Sequence, residues 1–319
     1  MISVCIPVFN RNVNRLVDDL VQQIEKGGLD AEIILLDDGS TEEIRRQNDS
    51  LRDKKYVIYL PLIENIGTSR IRNRIADLAS GDWLLFLDCD VTIMNQDFLR
   101  TYEQCTRGVN DVFYGDVYYG NKPTHRSEQL QWRTQQLALR HRARLSRRGL
   151  YEYISTGNFL IRRTLFESIH FDEKLTTYGQ EDQIFSIELK KKGTTPIKID
   201  NPVKHEDRTI NSSFVDKIED SLINLVRIWR ADEEFRPQLE RASHRLRTAR
   251  RLRPLGLTAL FQLFFVLFGR SIRSACIHSK LPTWCFSFYQ MIFLMVAFRA
   301  PNVEAFGEKH KGSVKGVAV

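Results

Sequence analysis

The stretch Trp83-Leu84-Leu85-Phe86-Leu87-Asp88-Cys89-Asp90 constrains the fold of this chain more than any other. Five apolar residues in a row, bounded by Ser80-Gly81 and by acids, predict a short strand buried on both faces. Such strands belong to parallel sheets with helices on each side, in which ligands bind at the carboxyl ends of the strands. Asp88 and Asp90 fall at that end, two residues apart, so both can turn toward one ligand. Two hard oxygen donors at this spacing suit Mg²⁺ or Mn²⁺ holding a phosphate. Acids capping a following helix would look the same, so the rest of the chain has to decide.

The strand-then-polar pattern recurs. Ile2 to Val8 is an apolar strand, after which Asn10 and Asn12 offer turn chemistry. Val13, Leu16, Val17, Leu20, Val21 and Ile24 follow at helical spacing, and Gly27-Gly28 ends that helix. Glu32 to Leu36 is a second strand, with Asp37-Asp38-Gly39-Ser40-Thr41 at its carboxyl end. A helix from about Glu42 to Leu51 and a strand from Tyr56 to Leu60 come next. Asn65 to Asn73 opens a helix with Ile71, Ile75 and Leu78 inward. Strands alternating with helices up to Asp90 predict a parallel α/β sheet with right-handed crossovers. Three of its carboxyl ends carry polar residues: Asn10 and Arg11, Asp37 and Asp38, Asp88 and Asp90.

Beyond this, Val112 to Tyr119 reads as one strand, Arg126 to Arg148 as a basic helix, and Ser155 to Ile161 as a strand entered through Gly157. Tyr178-Gly179-Gln180-Glu181-Asp182 leads into a helix from about Gln180 to Lys192, and Thr195 to Ile199 is a further strand. His205 follows it, a candidate third metal ligand or a structural histidine. From about Phe214 the character changes. Ile218, Leu222, Leu225 and Ile228 mark a helix, followed by an arginine-dense run from Arg236 to Arg253 and a C-terminal end that looks frayed. Two apolar blocks, Leu255 to Phe268 and Leu281 to Phe298, would reach about 21 Å and about 27 Å as helices, against a hydrocarbon core of about 30 Å. Two crossings would place Arg270, Arg273 and Lys280 outside, against the positive-inside tendency. Shallow insertion at an anionic cytosolic surface is therefore expected, with core packing as the alternative. The predicted division is a domain over residues 1–213 and a helical, basic and apolar extension over 214–319.

A net charge of +7 favours anionic partners: nucleotide phosphates, nucleic acid or an acidic membrane. No nucleic-acid motif accompanies the arginine runs, so nucleic acid is not expected as a partner. The five cysteines show no Cys-x-x-Cys spacing, which argues against zinc and disulfide frameworks and for a reducing cytosol. Met1 runs directly into a strand, so no signal peptide is expected. Nothing here fixes an oligomeric state.

Taken in order, the motifs resemble family 2 glycosyltransferases, inverting enzymes of the GT-A fold. The matching pieces are Val4-Cys5-Ile6-Pro7-Val8-Phe9-Asn10-Arg11, Leu36-Asp37-Asp38-Gly39-Ser40-Thr41, Asn65-x-Gly67 with Arg72-Asn73, and Leu87-Asp88-Cys89-Asp90. Gly157-Asn158 with Arg162-Arg163, Phe171-Asp172-Glu173 and Gly179-x-Glu181-Asp182 complete the set, over about residues 2–205. Ile71 stands where the family usually has alanine, and Glu188 where arginine is frequent. The resemblance implies a GT-A, Rossmann-like, mostly parallel sheet flanked by helices. It further implies a hexosyl- or N-acetylhexosaminyltransferase using a nucleotide-sugar donor, usually a UDP-sugar, with Mn²⁺ or Mg²⁺. Pro7, Phe9, Asn10, Asp37, Asp38, Asn65, Gly67, Arg72 and Asp88 would serve the donor, with Asp38 or Asp37 at the base. Asp90 would bind the metal more directly than Asp88, the Asp-x-Asp motif being joined there by His205. Asp182 would be the catalytic base and Glu181 would hold the acceptor, a glycan or lipid-linked glycan. The alternatives are a synthase charging a polyprenyl phosphate with sugar and a basic nucleic-acid-binding protein. The expected location is cytoplasmic, peripheral on the cytosolic face of a membrane.

Overall fold

The computed structural model describes residues 1–146, 154–175, 178–206, 209–252, 257–278 and 281–308. The chain divides into two compact units, one of residues 1–120, 152–176 and 184–207, the other of residues 121–151, 177–183 and 208–319.

In the first unit, β1 (Ile2–Val8), α1 (Asn14–Gly27), β2 (Ala31–Asp37), α2 (Glu42–Asn48), β3 (Val57–Pro61), α3 (Thr68–Leu78) and β4 (Trp83–Leu87) alternate as the apolar periodicity predicts. Short strands β5 (Val91–Ile93), β6 (Val112–Tyr114) and β7 (Val117–Tyr119) follow, with α4 (Phe98–Cys105) between the first two. Seven strands form the main sheet in the order β3-β2-β1-β4-β8-β6-β9, where β8 is Asn158–Arg162 and β9 is Ile197–Lys198. The first four run parallel, and β8 lies antiparallel to β4. A second sheet sets β10 (Val203–His205) between β5 and β7.

Successive residues of the central strands feed opposite cores, as the two-residue period of a strand requires. Val4, Ile6, Leu85 and Leu87 join Leu16, Val17, Leu20 and Ile24 of α1 on one face. Cys5, Leu84 and Phe86 join Ile71 and Ile75 of α3, and Phe185 of α7 (Glu181–Lys191), on the other. β4 is therefore buried on both faces, as its unbroken apolar run predicts.

Three local expectations fail. Leu78 is exposed, because α3 turns inward the face carrying Ser69, Arg72, Asn73 and Ala76, which rotates Leu78 to the rim. The single strand expected over Val112–Tyr119 is two strands in different sheets, broken at Gly115-Asp116. A Cβ at Gly115 would lie 2.1 Å from the Asn201 carbonyl oxygen, so the chain passes there only without a side chain. The strand expected over Thr195–Ile199 shrinks to β9.

The basic helix of the second unit, α5 (Gln129–Ser146), follows a short 3-10 turn, and Arg147 and Arg148 lie outside the described residues. In the first unit, α6 (Arg163–Glu167) follows β8 directly. The tail is α8 (Asn211–Ala231), α9 (Arg236–Ala242), α10 (His244–Leu252), α11 (Leu257–Ile277) and α12 (Thr283–Ala297). α12 is a core helix, burying Phe286, Tyr289, Ile292, Phe293 and Leu294. Phe286 meets Phe214 of α8 at 5.9 Å between ring centroids. α11 runs well past Phe268, so Arg270 and Arg273 stand in a helix and not in a connecting loop. The cause is tertiary: Arg273 is buried, its Nε donating to Glu219 Oε1 of α8 at 2.8 Å and its Nη2 to Asp216, while Tyr289 OH donates to the same Glu219 oxygen at 2.6 Å.

Candidate active site

The carboxyl ends of β2 and β4 carry the acids that the sequence singles out. Asp37 is fully buried, its Oδ1 accepting from the Ser40 backbone N–H at 2.7 Å and its Oδ2 from Tyr59 OH at 2.8 Å. Burial beside that carboxylate pushes the Tyr59 hydroxyl well above its usual range. Asp38 accepts from the backbone N–H of Ile66 at 2.6 Å and of Gly67 at 3.2 Å, and Asn65 Nδ2 donates to its carbonyl at 3.1 Å. Burial raises the Asp38 carboxyl, and the two N–H groups partly offset this. The loop at Glu64–Asn65 approaches so closely that a Cβ on Gly39, at φ 75°, would lie 2.7 Å from the Asn65 nitrogen. The Asp38 carboxylate thus braces the loop between β3 and α3, while that of Asp37 ties the turn after β2 to β3.

The exit of β1 is tied to the turn between β2 and α2. Asn10, in the left-handed region at φ 49°, donates its backbone N–H to Ser40 Oγ at 2.8 Å and accepts from the Thr41 N–H at 2.9 Å. Pro7 pairs with Leu36 in the sheet. Phe9 is half exposed, an uncommon state for a large ring held by so constrained a turn. Asn48, which the sequence reading missed, is buried and fixes this turn through the Val13 N–H and the Arg11 carbonyl.

At β4, Arg72 is drawn in from α3. Its Nη2 donates to Asp88 Oδ1 at 2.7 Å, and its guanidinium lies 5.4 Å from the Phe171 ring centre, so it is not the exposed helix arginine that its position allows. The Asp88 N–H donates to the Gly157 carbonyl at 3.1 Å. Cys89, between the two acids, is packed inward, and burial pushes its thiol up to about 12. Two residues on, Asp90 Oδ2 lies 3.2 Å from His205 Nε2, because β10 pairs His205 with Val91. Beneath this edge Tyr102 OH donates to Asn158 Oδ1 at 2.7 Å, and Asn158 Nδ2 to the Asn201 carbonyl at 2.9 Å. Tyr102 and Asn201 carry no motif; only the Gly157-Asn158 pair hinted at this support.

Asp90 and His205 therefore stand together while Asp88 is held by Arg72. Among the described residues no three His, Cys, Asp or Glu side chains gather as a metal cluster. The Asp90 carboxylate suits Mn²⁺ or Mg²⁺ that takes further oxygens from a phosphate ligand and water, and the His205 imidazole beside it favours the transition metal Mn²⁺ over Mg²⁺.

Glu181 and Asp182 belong to the second unit. They open α7 after Gly179 at φ 97° and Gln180 at φ 80°. Gln180 Nε2 donates to Ser221 Oγ at 2.8 Å and Asn224 Nδ2 to the Gly179 carbonyl at 3.2 Å, so α8 fixes the turn that presents the two acids. A Cβ on Gly179 would lie 2.5 Å from Ser221, which leaves only glycine there.

Strand order and flanking helices define a GT-A-like fold: a mostly parallel sheet with acids at its carboxyl edge. Among solved structures, a mannosyltransferase from Pyrobaculum calidifontis in complex with GDP-Man and Mn²⁺ superposes with a TM-score of 0.55 at 14% identity, covering 93% of this chain and 86% of that one. The family model described as "Glycosyl transferase family 2" matches residues 3–169, more than half of the chain, and the chain belongs to that family. Of curated relatives, the GalNAc(5)-diNAcBac-PP-undecaprenol beta-1,3-glucosyltransferase of Campylobacter jejuni is 25% identical over 185 residues, 56% of this chain and 57% of that protein. Glycosyltransferase GlyA of Streptococcus pneumoniae is 29% identical over 127 residues, 38% of this chain and 17% of that protein. The chain thus spans a little over half of one relative's length and a fifth or less of the other's.

Proposed function

We propose that this chain is an inverting, metal-dependent glycosyltransferase that moves a sugar from a nucleoside diphosphate sugar, a UDP-sugar by preference, to a hydroxyl of a glycan or lipid-linked glycan. The observation that carries the reading is the pairing of Asp90 with His205 beside the Arg72–Asp88 ion pair, at the carboxyl end of the buried strand. The base rests on Asp38, with Phe9 against its face and Asp37 holding the floor; Asn10, Asn65, Gly67 and Pro7 shape the wall. Arg72 and Asp88 take the ribose and diphosphate. Asp90 and His205 would hold Mn²⁺ or Mg²⁺, which when bound would supply positive charge opposite the departing diphosphate. Asp182 accepts the proton of the acceptor hydroxyl as its oxygen bonds to the anomeric carbon. The bond to the diphosphate oxygen breaks on the opposite side, so configuration inverts, and Glu181 orients the acceptor. The comparisons support the class: one curated relative is a glucosyltransferase named for a PP-undecaprenol-linked glycan, and the solved mannosyltransferase is in complex with GDP-Man and Mn²⁺. A lipid-linked acceptor sets the work at the cytosolic face of a membrane.

A thermal-shift screen of nucleotide sugars with and without Mn²⁺ tests the reading. One nucleotide sugar should stabilise the chain in Mn²⁺ and not in EDTA, and Asp90→Ala should lose that response. Asp182→Asn should keep the shift and lose transfer, since charge goes while shape stays. Absence of any nucleotide-sugar response, or full activity of Asp90→Ala, would sink it.

A further inference from the structure

α11 has the length of a membrane span but is not built as one. Its 21 residues reach about 31 Å, enough for a hydrocarbon core of about 30 Å. Only 22% of Ala259–Ile277 is buried, so it is not a core helix either. Its last turns are pinned, because Arg273 is 3% exposed and bonded to Glu219 and Asp216 of α8. α8 also carries Lys217, Asp220, Arg227 and Arg230 and cannot follow α11 into hydrocarbon. What remains is a helix held lengthwise against its unit with one long side bare.

That side is strongly apolar. Leu260, Leu263, Val266 and Leu267 are 57–73% exposed, and Trp284 and Phe288 of α12 continue the surface at 69% and 43%. Phe264 meets Phe288 at 6.0 Å, so the two helices present one face. Contiguous apolar surface of this kind marks a docking site. Its border is cationic: Arg270, one turn beyond Val266, and Arg299 both line a groove of about 910 Å³ with Phe265 and Phe306, and both are exposed. Bulky aliphatics, an indole and rim arginines on a chain of charge +7 are the complement of an anionic bilayer surface: acyl chains for the face, phosphates for the rim.

We infer that α11 lies in the plane of an anionic lipid surface, inserting its Leu260–Leu267 face beside Trp284 without crossing. This deepens the lipid-linked-acceptor reading and rests on it for its setting, though the lipid contact itself needs no donor. The full chain is floated on sucrose with vesicles of phosphatidylglycerol and phosphatidylethanolamine, or of phosphatidylcholine alone. Flotation is expected with the anionic vesicles and should fall at least about tenfold with phosphatidylcholine. The double variant Leu263→Glu, Leu267→Glu should lose flotation by a similar factor while keeping the parent's nucleotide-sugar thermal shift. Loss of that shift in the parent, with flotation intact, would count against the transferase reading alone. Equal flotation of parent and double variant, or a parent that stays at the bottom, overturns the inference. So does a parent dimer that the double variant renders monomeric, since the face then belongs to a second copy. Cysteines placed at Ala259 and at His278 should label with an impermeant maleimide, above the parent's background, from the same side of sealed membrane vesicles; opposite sides would establish a span.

Discussion

A methyl group on residue 157 would sit 2.2 Å from Asp88 Oδ2, the end of a side chain that can swing away. The side chain can move aside, but the swing breaks the 2.7 Å bond from the buried Arg72 and displaces the Asp88 carboxylate at the end of β4. We expect Gly157→Ala to melt within a few degrees of the parent and to bind UDP in Mn²⁺ at least about tenfold more weakly, a cost of about 1.4 kcal/mol. Calorimetric titration checks this, and unchanged affinity would show that Asp88 has no fixed place to keep. The individual acids were legible in the sequence because Asp-x-Asp and Asp-Asp-Gly-Ser follow apolar runs. Their partners were not. Nothing in the sequence pairs Arg72 with Asp88 rather than with solvent, or fills both oxygens of Asp37 from Ser40 and Tyr59.

Among the elements, α11 diverges most from its sequence pattern. The apolar run stops at Phe268, yet the helix continues to Ile277 because Arg273 finds Glu219 and Asp216 on α8. Burial pushes the Glu219 carboxyl up, while Arg273 and Tyr289 OH pull it back. Glu219→Ala removes one of the two carboxylates on the buried guanidinium and the acceptor of Tyr289 OH, leaving Asp216, and should destabilise the chain by about 1–3 kcal/mol in urea denaturation. Glu219→Gln keeps an acceptor for Tyr289 and Arg273 and should cost clearly less. An equal, large cost for both would mean that the carboxylate's charge, and not its shape or acceptors, holds α11; a negligible cost for both would mean that packing alone holds it. By contrast α1 needed no such rescue, since an apolar stripe facing a sheet fixes a helix by itself.

For the whole molecule, the division into units does not follow one cut in the chain. Residues 121–151 and 177–183 belong with the tail, far from it in sequence. Asn211 Oδ1 accepts from the Leu130 N–H at 2.9 Å, and Ser221 and Asn224 hold the turn before Asp182. A truncation to residues 1–213, the cut that composition suggests, removes Ser221 and Asn224 along with most of α8. It should aggregate or expose α5 and the 177–183 turn to limited proteolysis, whereas the parent should not. A soluble truncation with the parent's protease pattern would show that the first unit's insertions fold without the tail.

Sequence alone determined the α/β sheet, its strand-by-strand acids and the family. These are encoded locally: apolar period, glycine turns and acids at strand ends need only neighbours a few residues away. Tertiary structure decided what depends on distant partners. It set His205 against Asp90, because β10 happens to pair with β5. It also turned Arg72 inward, broke Val112–Tyr119 at Gly115, and separated two similar apolar blocks into a core helix, α12, and a bare one, α11. Both segments are apolar in sequence, but burial is a property of what packs against a helix, and that is written elsewhere in the chain.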